Sequence, residues 1–330
     1  MSLIPPRKLG RSGIIVSPMG LGCWAIGGPW QWLDYPGGWG EVDDAESIRA
    51  IHAALANGIT FFDTAANYGT GHSERVLAQA LAGRRQQAVI ATKFGYVVDE
   101  AGKRVTRFAR DEEVIQDVRT SCEASLRRLN TDYIDLYQLH VWDYPAGPAV
   151  QVREVLEELV LEGKIRAYGW STDSPALAQV FAAGEHCAAI QHDLNVIMDA
   201  PEILALCEQE DLASVNRSPL ARGALTGKYS KNTNFAENDV RRDPWSIDHF
   251  FVPTLDKLEA LRSILTSGGR TLAQGALAWV FSRSQRTVPI PGFRTVAQVE
   301  ENARAIQLGP LTQDQMNQID GLLNRAKLQV

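Results

Sequence analysis

The sequence lacks the features of a membrane protein or a nucleic-acid-binding protein. Its 330 residues contain no apolar run of the roughly 18 residues needed to cross a bilayer, and the N-terminus has no apolar core of a secretion signal. The formal net charge of -6 is spread along the chain, and the basic residues form no stripe. We therefore expect neither a membrane nor a nucleic acid as a partner.

Cysteine is also scarce, and its spacing excludes a disulfide framework. The four cysteines form no C-x-x-C pair, so we expect buried thiols in a reducing cytoplasm. His186, Cys187 and His192 lie close together, but their spacing fits no usual zinc site, and we expect no bound metal. The sequence has no P-loop either.

The chain does contain a regular alternation of short apolar runs and amphipathic helical stretches. Eight runs are predicted as strands, at residues 16–21, 61–64, 89–92, 134–139, 167–171, 189–191, 213–216 and 288–290. Helical patterns between them include residues 45–56, 110–129, 152–162, 175–183 and 201–209. Repeated strand–helix units predict parallel pairing, and hence an α/β (β/α)8 TIM barrel that forms one domain over residues 1–330.

The alternative fold is an open doubly wound sheet. That fold usually carries G-x-G-x-x-G between its first strand and first helix. Gly20, Gly22 and Gly27 have a different spacing, and the loop continues to Asp43 before a helix begins, so we favour the barrel. Long loops are predicted at residues 27–42 and 227–253, and loops of this length inside a barrel are usually functional.

Four reactive side chains are predicted at the C-terminal face of this barrel, where barrel enzymes carry their chemistry. Asp63 ends the second strand, Tyr68 follows in the loop, Lys93 ends the third strand and His140 ends the fourth. Adjacent strands lie about 4.8 Å apart, so neighbouring strand ends can bring these groups into contact. Each residue alone could be a cap, a packing aromatic or a core histidine, but together they indicate one site.

Their residue types suit the reduction of a carbonyl, which needs a hydride on carbon and a proton on oxygen. A tyrosine has an unperturbed pKa near 10, and an adjacent lysine cation lowers it. A carboxylate paired with Lys93 keeps that amine charged and oriented. His140 can orient the carbonyl and donate or relay a proton.

The motifs around these residues resemble those of the aldo-keto reductase superfamily over essentially the whole chain. RKLGRSG at residues 7–13 and GLG at 20–22 resemble its N-terminal β-hairpin and first strand. FDTA at 62–65 and NYG at 67–69, followed by SE at 73–74, match its most specific motif. The resemblance implies Tyr68 as general acid, Lys93 and Asp63 as the pair that tunes it, and His140 as substrate orienter.

The resemblance also implies NADPH/NADP+ as cofactor and a small-molecule carbonyl compound as substrate. Cofactor-binding residues are implied in four segments, after strands five to eight. They are Ser171, Gln191, Arg217, Ser218, Pro219, Leu220, Gly223, Leu225, Lys228, Ile290, Gly292, Arg294, Gln298, Glu301 and Asn302. Arg294 is the candidate for the 2′-phosphate, because a guanidinium can form paired hydrogen bonds to phosphate oxygens, and it favours NADPH over NADH.

Two positions depart from the family pattern. Thr172 stands where the family usually has an asparagine on the nicotinamide carboxamide, and Arg217 stands where many members have a stacked aromatic. A guanidinium can also stack on a flat ring. Our hypothesis is that Arg217 lies against the nicotinamide and disfavours its oxidised, cationic form.

Aromatic residues on the loops predict the walls of a substrate pocket. Trp30, Trp32, Tyr96 and Trp142 are the candidates, all placed after strand ends one, three and four. Walls of this kind accept many aldehydes and ketones, so the sequence does not identify the substrate. It leaves the preferred direction and the oligomeric state open as well.

Two other functions stay open. A Schiff-base aldolase or lyase would use Lys93 as a covalent nucleophile, but it leaves Tyr68 and the loop motifs without a role. Some relatives of the family are NADPH-binding subunits of membrane channels. That function is less favoured, because the sequence shows no extended arm before its first hairpin.

Overall fold

The predicted (β/α)8 barrel is confirmed. The structure, a computed structural model, describes residues 4–243 and 246–325, and eight parallel strands follow one another around the sheet in chain order. These strands are Gly20–Gly22, Phe61–Asp63, Val89–Phe94, Leu136–Leu139, Tyr168–Ser171, Cys187–Asp193, Ala213–Arg217 and Thr287–Pro289. The first and last strands meet where the Gly22 amide donates to the Pro291 carbonyl at 3.0 Å. Gly22 allows this approach, since a Cβ there would lie 2.9 Å from the Ile290 carbonyl oxygen.

The α-helices surround the barrel. Their bounds are Asp44–Ala56, His72–Ala80, Asp111–Leu129, Ala146–Leu161, Pro175–Ala182, Pro201–Gln209, Val252–Leu265, Leu272–Arg283, Val296–Leu308 and Gln313–Leu322. The helix at Ala146 begins earlier than the sequence predicted, because Pro148 falls in the first turn, where a missing N–H costs no helical hydrogen bond. Ser174 caps the helix that follows it by accepting a hydrogen bond from the Leu177 amide.

The first barrel strand is shorter than predicted. Residues 16–21 were expected to form it, but Ile15–Val16 pairs antiparallel with Arg7–Lys8 in an N-terminal hairpin. Leu9 and Val16 pack in the same cluster as interior barrel residues such as Leu136, so the hairpin covers the bottom of the barrel. That apolar contact is why Val16 has a strand-like sequence outside the barrel sheet.

The loops at the C-terminal face carry structure of their own. Loops one and three together form a small sheet of the strands Gln31–Trp32, Tyr35–Pro36, Val97–Asp99 and Arg104–Thr106. The loop predicted at residues 227–253 contains a 3₁₀ turn at Val240–Arg242 and a π-helical turn at Ile247–Phe251. It touches the first loop, where the Val240 amide donates to the Gly38 carbonyl at 2.8 Å. Both long loops therefore cover the mouth of the barrel.

Two further expectations concerned buried cysteine thiols and helices that could cross a membrane. All four cysteines are free and buried, as predicted for the thiols. Within the described residues, no helix is both long and apolar enough to cross a membrane.

Candidate active site

The side chains of Asp63, Tyr68 and Lys93 meet at the C-terminal face of the barrel. The Lys93 amine lies 2.5 Å from Asp63 Oδ1 and 2.8 Å from the Thr64 carbonyl oxygen. It also lies 3.4 Å from the Tyr68 hydroxyl. Lys93 and Asp63 are almost fully buried. One ammonium thus links a carboxylate and a phenol, as the sequence predicted for this cluster.

His140 completes the cluster from the end of the fourth strand. Its ring lies 5.7 Å from that of Tyr68, centroid to centroid, at an interplanar angle of 80°. The His140 amide donates to the Phe94 carbonyl at 2.8 Å, which extends the strand pairing and fixes the residue at the barrel mouth. Its buried Nδ1 has no hydrogen-bond partner within the described residues. His140 lines the cavity described below, but a nitrogen buried this deeply does not itself face a ligand there.

Two glutamines hold the second carboxylate oxygen of Asp63. Gln191 donates to Asp63 Oδ2 at 2.8 Å, and Gln138 donates to the same atom at 3.2 Å. Gln191 was predicted to hold the nicotinamide amide, and here it serves the carboxylate while still lining the cavity described next. Gln138 was missed, although strand alternation places it on the same side as His140, two residues later. Asp63 is thus an acceptor for one amine and two amides.

A cavity of about 760 Å³ opens above this cluster. Its volume falls in the range of roughly 300 to 1,000 Å³ that is usual for cofactor and ligand sites. The predicted site residues along its wall are Trp30, Trp32, Asp63, Tyr68, Tyr96, His140, Trp142, Ser171, Gln191, Arg217, Ser218, Pro219, Leu220, Gly223, Lys228, Ile290, Gly292, Arg294, Gln298, Glu301 and Asn302. The four segments implied for the cofactor therefore all line this one cavity, and the part of the lining that they form is called the cofactor wall.

Two implied cofactor contacts are not at this wall. Leu225 is fully buried in the hydrophobic core, because its loop turns back onto the helices there. Thr172 is also buried, and its hydroxyl donates to the Trp142 carbonyl at 2.7 Å. Neither side chain lines the cavity.

The predicted cofactor cations already have partners inside the protein. Arg217 reaches Asp173 at 2.5 Å and Asp193 at 3.2 Å, so its charge is offset by two carboxylates. Arg294 donates to the carbonyl of Trp39 at 3.0 Å and to that of Glu41, both in the first loop. Among the described residues, the guanidinium of Arg294 is therefore paired with two carbonyl dipoles and with no carboxylate.

Comparison with known proteins identifies the family. The model of the aldo/keto reductase family matches residues 18–324. Aldo-keto reductase YhdN of Bacillus subtilis is 34% identical over 299 residues, which are 89% of this chain and 86% of that protein. The NADH-specific methylglyoxal reductase of Escherichia coli is 32% identical over 312 residues, 91% of this chain and 93% of that protein. The chain belongs to the aldo/keto reductase family.

Solved aldo/keto reductases share the whole fold. The glycerol dehydrogenase AKR11B4 from Gluconobacter oxydans has a TM-score of 0.79 at 33% identity and covers 96% of this chain and 94% of its own. An aldo/keto reductase from Klebsiella pneumoniae, in complex with NADP and acetate, has a TM-score of 0.68 at 27% identity, with 97% and 96% covered. These neighbours agree with the barrel and with the family resemblance of the motifs.

The electrostatics of the aldo/keto reductase cluster keep the phenol protonated. Burial by itself lowers the pKa of Lys93, but Asp63 and Tyr68 outweigh it, and the pKa lies above its usual value. Burial raises the pKa of Tyr68, and the Lys93 cation opposes this only in part. The sequence predicted the direction of the lysine's influence, but the net shift is upward because burial is the larger effect. Tyr68 therefore carries its proton at neutral pH.

His140 is neutral in the same surroundings. Burial, reinforced by the cations of Lys93 and Arg217, holds the pKa of His140 well below 6.5. A neutral imidazole has one donor and one acceptor nitrogen, so it can hydrogen-bond a carbonyl oxygen or an alcohol. Its charge state therefore suits an orienting role better than the role of a strong acid.

Sequence reasoning missed several residues of the cavity wall. Trp24 stacks on Tyr68, with ring centroids 5.9 Å apart and an interplanar angle of 17°. Its position directly after the first barrel strand was the available signal. Other lining residues outside the predicted set include Asn67, Trp39, Arg107, Arg222 and Arg241. They lie on loops, where no periodicity indicates which side chain faces a ligand.

The predicted substrate aromatics form one side of the cavity. The rings of Trp32 and Tyr96 lie 4.9 Å apart, edge to face, at the small sheet of loops one and three. Tyr96 donates to the His140 carbonyl at 3.3 Å, which connects this wall to the reacting cluster. Trp142 is 55% exposed and stands at the rim. The wall nearest the cluster is therefore more constrained than the rim.

Proposed function

We propose that this aldo/keto reductase reduces an aldehyde or a ketone to an alcohol with NADPH, using Tyr68 as general acid. The observation that carries the proposal is the buried Tyr68 hydroxyl, which lies 3.4 Å from the Lys93 amine on the floor of a ligand-sized cavity. A protonated phenol beside a fixed cation is a proton donor whose conjugate base is stabilised. Carbonyl reduction needs such a donor at the oxygen.

Each member of the quartet has a separate task in this reaction. NADPH, when bound, supplies the hydride that forms the new C–H bond at the carbonyl carbon. Tyr68 donates its proton to the carbonyl oxygen as the C=O π bond breaks, which leaves a tyrosinate beside the Lys93 cation. Asp63 keeps that amine charged and in place. His140, neutral, orients the carbonyl oxygen toward the Tyr68 hydroxyl.

The cavity wall fits a dinucleotide. Gln191 contacts Asp63 of the reacting cluster and Ser171 pairs with Gln191 across neighbouring strands, while Gln298, Glu301 and Asn302 lie on the helix that follows the eighth strand. An extended ligand could therefore reach from the quartet to the far end of the cavity. A relative crystallised with NADP supports the choice of cofactor. Because another relative is NADH-specific, selectivity varies among similar proteins, and we assign NADPH selectivity in this chain to Arg294, whose guanidinium can pair with a 2′-phosphate.

A substrate panel with a single-atom variant tests the proposal. The consumption of NADPH is followed by absorbance with aldehydes, ketones and keto-sugars, for the wild type and for Tyr68→Phe. We expect at least one substrate to be reduced, and we expect Tyr68→Phe to lower kcat by about 10²- to 10⁴-fold, as is typical for the loss of a general acid. The binding of NADPH should be retained, because the phenyl ring remains.

Tyr137→Phe is the matched control. It removes the hydroxyl of another buried tyrosine, on the fourth strand, whose oxygen has no hydrogen-bond partner in the part of the chain that the structure describes. We expect its turnover to equal that of the wild type. Equal turnover by Tyr68→Phe would contradict the acid assignment. Slow turnover of every compound, together with tight NADPH binding, would instead favour a cofactor-sensing function.

The geometry does not favour a Schiff-base lyase. A nucleophilic lysine must be deprotonated, whereas Asp63 and Tyr68 raise the pKa of Lys93 although burial alone would lower it. Three acceptor atoms also surround the amine. Borohydride treatment with a keto substrate should therefore leave no adduct on Lys93, and a stable adduct would support the lyase.

A further inference from the structure

One cation of the cavity lining lies away from the cofactor wall. Among the described residues, the other lysine and arginine side chains of the lining lie at the end of the seventh strand or after the seventh and eighth strands, at Arg217, Arg222, Lys228, Arg241 and Arg294. Arg107 instead lies on the third loop, in the half of the lining that loops one to four supply. Its neighbours in that half are mainly aromatic, among them Trp30, Trp32, Tyr96 and Trp142. Arg107 is therefore on the side expected for the substrate.

The small sheet of loops one and three places Arg107 next to Tyr96. Val97 pairs with Thr106 in the antiparallel strands of the third loop, and Tyr96 and Arg107 are the next residues beyond this pair. Opposite residues of antiparallel strands have Cα atoms about 4.5 to 5.5 Å apart. Burial raises the pKa of Tyr96 to about 12, and the Arg107 cation opposes that rise, as expected of close neighbours. The Tyr96 ring in turn lies 5.5 Å from that of His140, so one aromatic side chain separates Arg107 from the quartet.

Asp143 holds Arg107 from outside the cavity. Its Oδ1 lies 2.9 Å from Arg107 Nη2, and the two side chains are 36% and 46% exposed. Arg107 lines the cavity, whereas Asp143 does not. A guanidinium has five N–H donors, so this ion pair leaves donors for a ligand. The carboxylates that do line the cavity, Asp63, Asp193 and Glu301, each have a cation of their own within 4 Å.

We propose that Arg107 is a specificity-determining residue that binds a carboxylate of the substrate, so that the preferred substrate is an aldehyde or ketone with a separate acid group. The inference rests on the proposed function, because it takes the quartet as the place where the carbonyl binds. A guanidinium forms charge-assisted hydrogen bonds with carboxylates. Asp143 already offsets part of the charge of Arg107, which favours a singly charged carboxylate over a phosphate of nearly two charges.

The position of Tyr96 determines where the acid group lies on the substrate. The carbonyl oxygen is expected at Tyr68 and His140, and the ring of Tyr96 stands between this point and Arg107. That ring is fixed, because its hydroxyl donates to the His140 carbonyl at 3.3 Å and its edge packs against Trp32. A carboxylate bonded directly to the carbonyl carbon is too close to reach past it. The acid group is therefore several bonds away, and the atoms between lie along the aromatic wall.

A matched acid and ester test the inference. The compounds are 4-carboxybenzaldehyde and its methyl ester, which share the aldehyde and differ in charge. Their kcat/KM with NADPH is measured for the wild type and for Arg107→Met. We expect the variant to lower the acid-to-ester ratio by about 3- to 30-fold, mainly through KM, because a partly exposed charge-assisted hydrogen bond is lost away from the reacting carbon. Comparing ratios between the two proteins cancels the intrinsic difference in reactivity between acid and ester.

Two variants and two compounds serve as references. Arg104→Met removes a cation from the same strand that pairs with Asp34 and does not line the cavity, and it should keep the wild-type ratio. Arg107→Lys should recover part of the ratio, because it restores the charge without the planar fork. Glyoxylate, whose carboxylate is on the reacting carbon, should change by less than about twofold in Arg107→Met. A stronger dependence on Arg107 for 4-formylphenyl phosphate than for the acid would overturn the choice of a carboxylate.

Binding without turnover separates this inference from the proposed function. Equilibrium dialysis with NADP+ gives the Kd of the acid and of the ester. If the wild type reduces neither compound but Arg107→Met binds the acid more weakly, the anion site stands and the reductase function fails. If both compounds are reduced and Arg107→Met leaves their ratio unchanged, or loses the ester equally, the inference is wrong while the function stands. Binding of neither compound would also overturn the inference. Turnover of the ester reports that a variant is folded, and Arg107→Gln repeats the comparison with a polar replacement.

Discussion

The catalytic end and the cofactor wall of the same cavity hold their charges differently. At the catalytic end, the buried Lys93 amine is matched by Asp63, and that carboxylate is in turn held by Gln138 and Gln191. On the cofactor wall, Arg222 has no carboxylate partner in the described residues, and its loop has a strained backbone. The buried charges of Lys93 and Asp63 are therefore paired within the protein, whereas Arg222 keeps a positive charge that a bound ligand could pair.

This difference follows from what each end must do. Proton transfer requires groups that already have the right protonation state and orientation when the substrate arrives, so their partners come from the protein. Cofactor binding gains most from interactions that form only with the ligand, and strain or unbalanced charge in the free protein is then relieved on binding. The strongest effects on stability should therefore come from the catalytic end, and the strongest effects on affinity from the cofactor wall.

The largest expected effect on stability is that of Lys93→Met. This change leaves the Asp63 carboxylate buried without its cation, and we expect the free energy of unfolding to fall by about 3 to 5 kcal/mol. Urea unfolding at neutral pH measures it. The double variant Asp63→Asn, Lys93→Met removes both charges and should recover most of that loss, although it should be inactive.

A charge pair on the cofactor wall provides the comparison. Lys228 and Glu301 lie 3.6 Å apart, and their side chains are 50% and 26% exposed. Lys228→Met should lower the free energy of unfolding by less than about 1 kcal/mol, because solvent screens such pairs. Equal losses for Lys93→Met and Lys228→Met would show that the two ends do not differ in the way proposed.

The next effect concerns His140 and pH. Burial first, and then the cations of Lys93 and Arg217, hold the pKa of His140 well below its unfolded value of 6.5. As the pH falls below 6.5, His140 therefore takes up a proton in the unfolded chain but not in the folded chain. The stability that is present above pH 6.5 is consequently lost as the pH falls toward the pKa of the folded state. Between about pH 6.5 and about pH 5, this one group should lower the free energy of unfolding by on the order of 2 kcal/mol.

His140→Asn should flatten that part of the pH dependence in urea unfolding. His192, whose pKa is lowered to about 4 mainly by burial, has the same sign and stays in the variant as an internal reference. An unchanged slope in His140→Asn would mean that His140 is protonated in the folded protein and is not the neutral orienter proposed.

The two ends also differ in how far the sequence could predict them. Asp63, Lys93 and His140 occupy the ends of strands, and the alternation of strands and helices is enough to bring strand ends together. Trp39 and Arg222 lie on loops, where the direction of a side chain depends on backbone angles and on contacts between loops. Arg222 has a positive φ that no sequence period encodes. The quartet was therefore predictable from the strand pattern, whereas the wall was predictable only through the family motifs, which did not include Trp39 and Arg222 among the expected contacts.

Part of the fold was misread for a related physical reason. Val16 is apolar and buried, and for that reason the sequence placed it in a barrel strand. It pairs instead with Arg7 in the hairpin that covers the barrel bottom. An apolar residue indicates burial, but it does not indicate which sheet contains the strand that it pairs with. Likewise, the sequence indicated that Lys93 lowers the pKa of Tyr68, but the depth of burial that reverses the net shift is a property of the folded chain.

The smallest effect concerns Arg217, which sits where the two ends meet. Its cation is offset by Asp173 and Asp193 and its side chain is 27% exposed, so its influence on a nearby nicotinamide is screened. Arg217→Tyr leaves both carboxylates and should tighten NADP+ relative to NADPH by only about threefold. Asp173→Asn removes one carboxylate and should shift the same ratio in the opposite direction.

Equilibrium binding of both nucleotides at low and high salt measures this ratio. Both shifts should shrink as salt is added, since the groups involved are partly exposed. Shifts of the same sign in the two variants would indicate that stacking, and not charge, sets the ratio. No shift in Arg217→Tyr would mean that the guanidinium does not face the nicotinamide, and Arg217 would then belong with the internally balanced groups of the catalytic end.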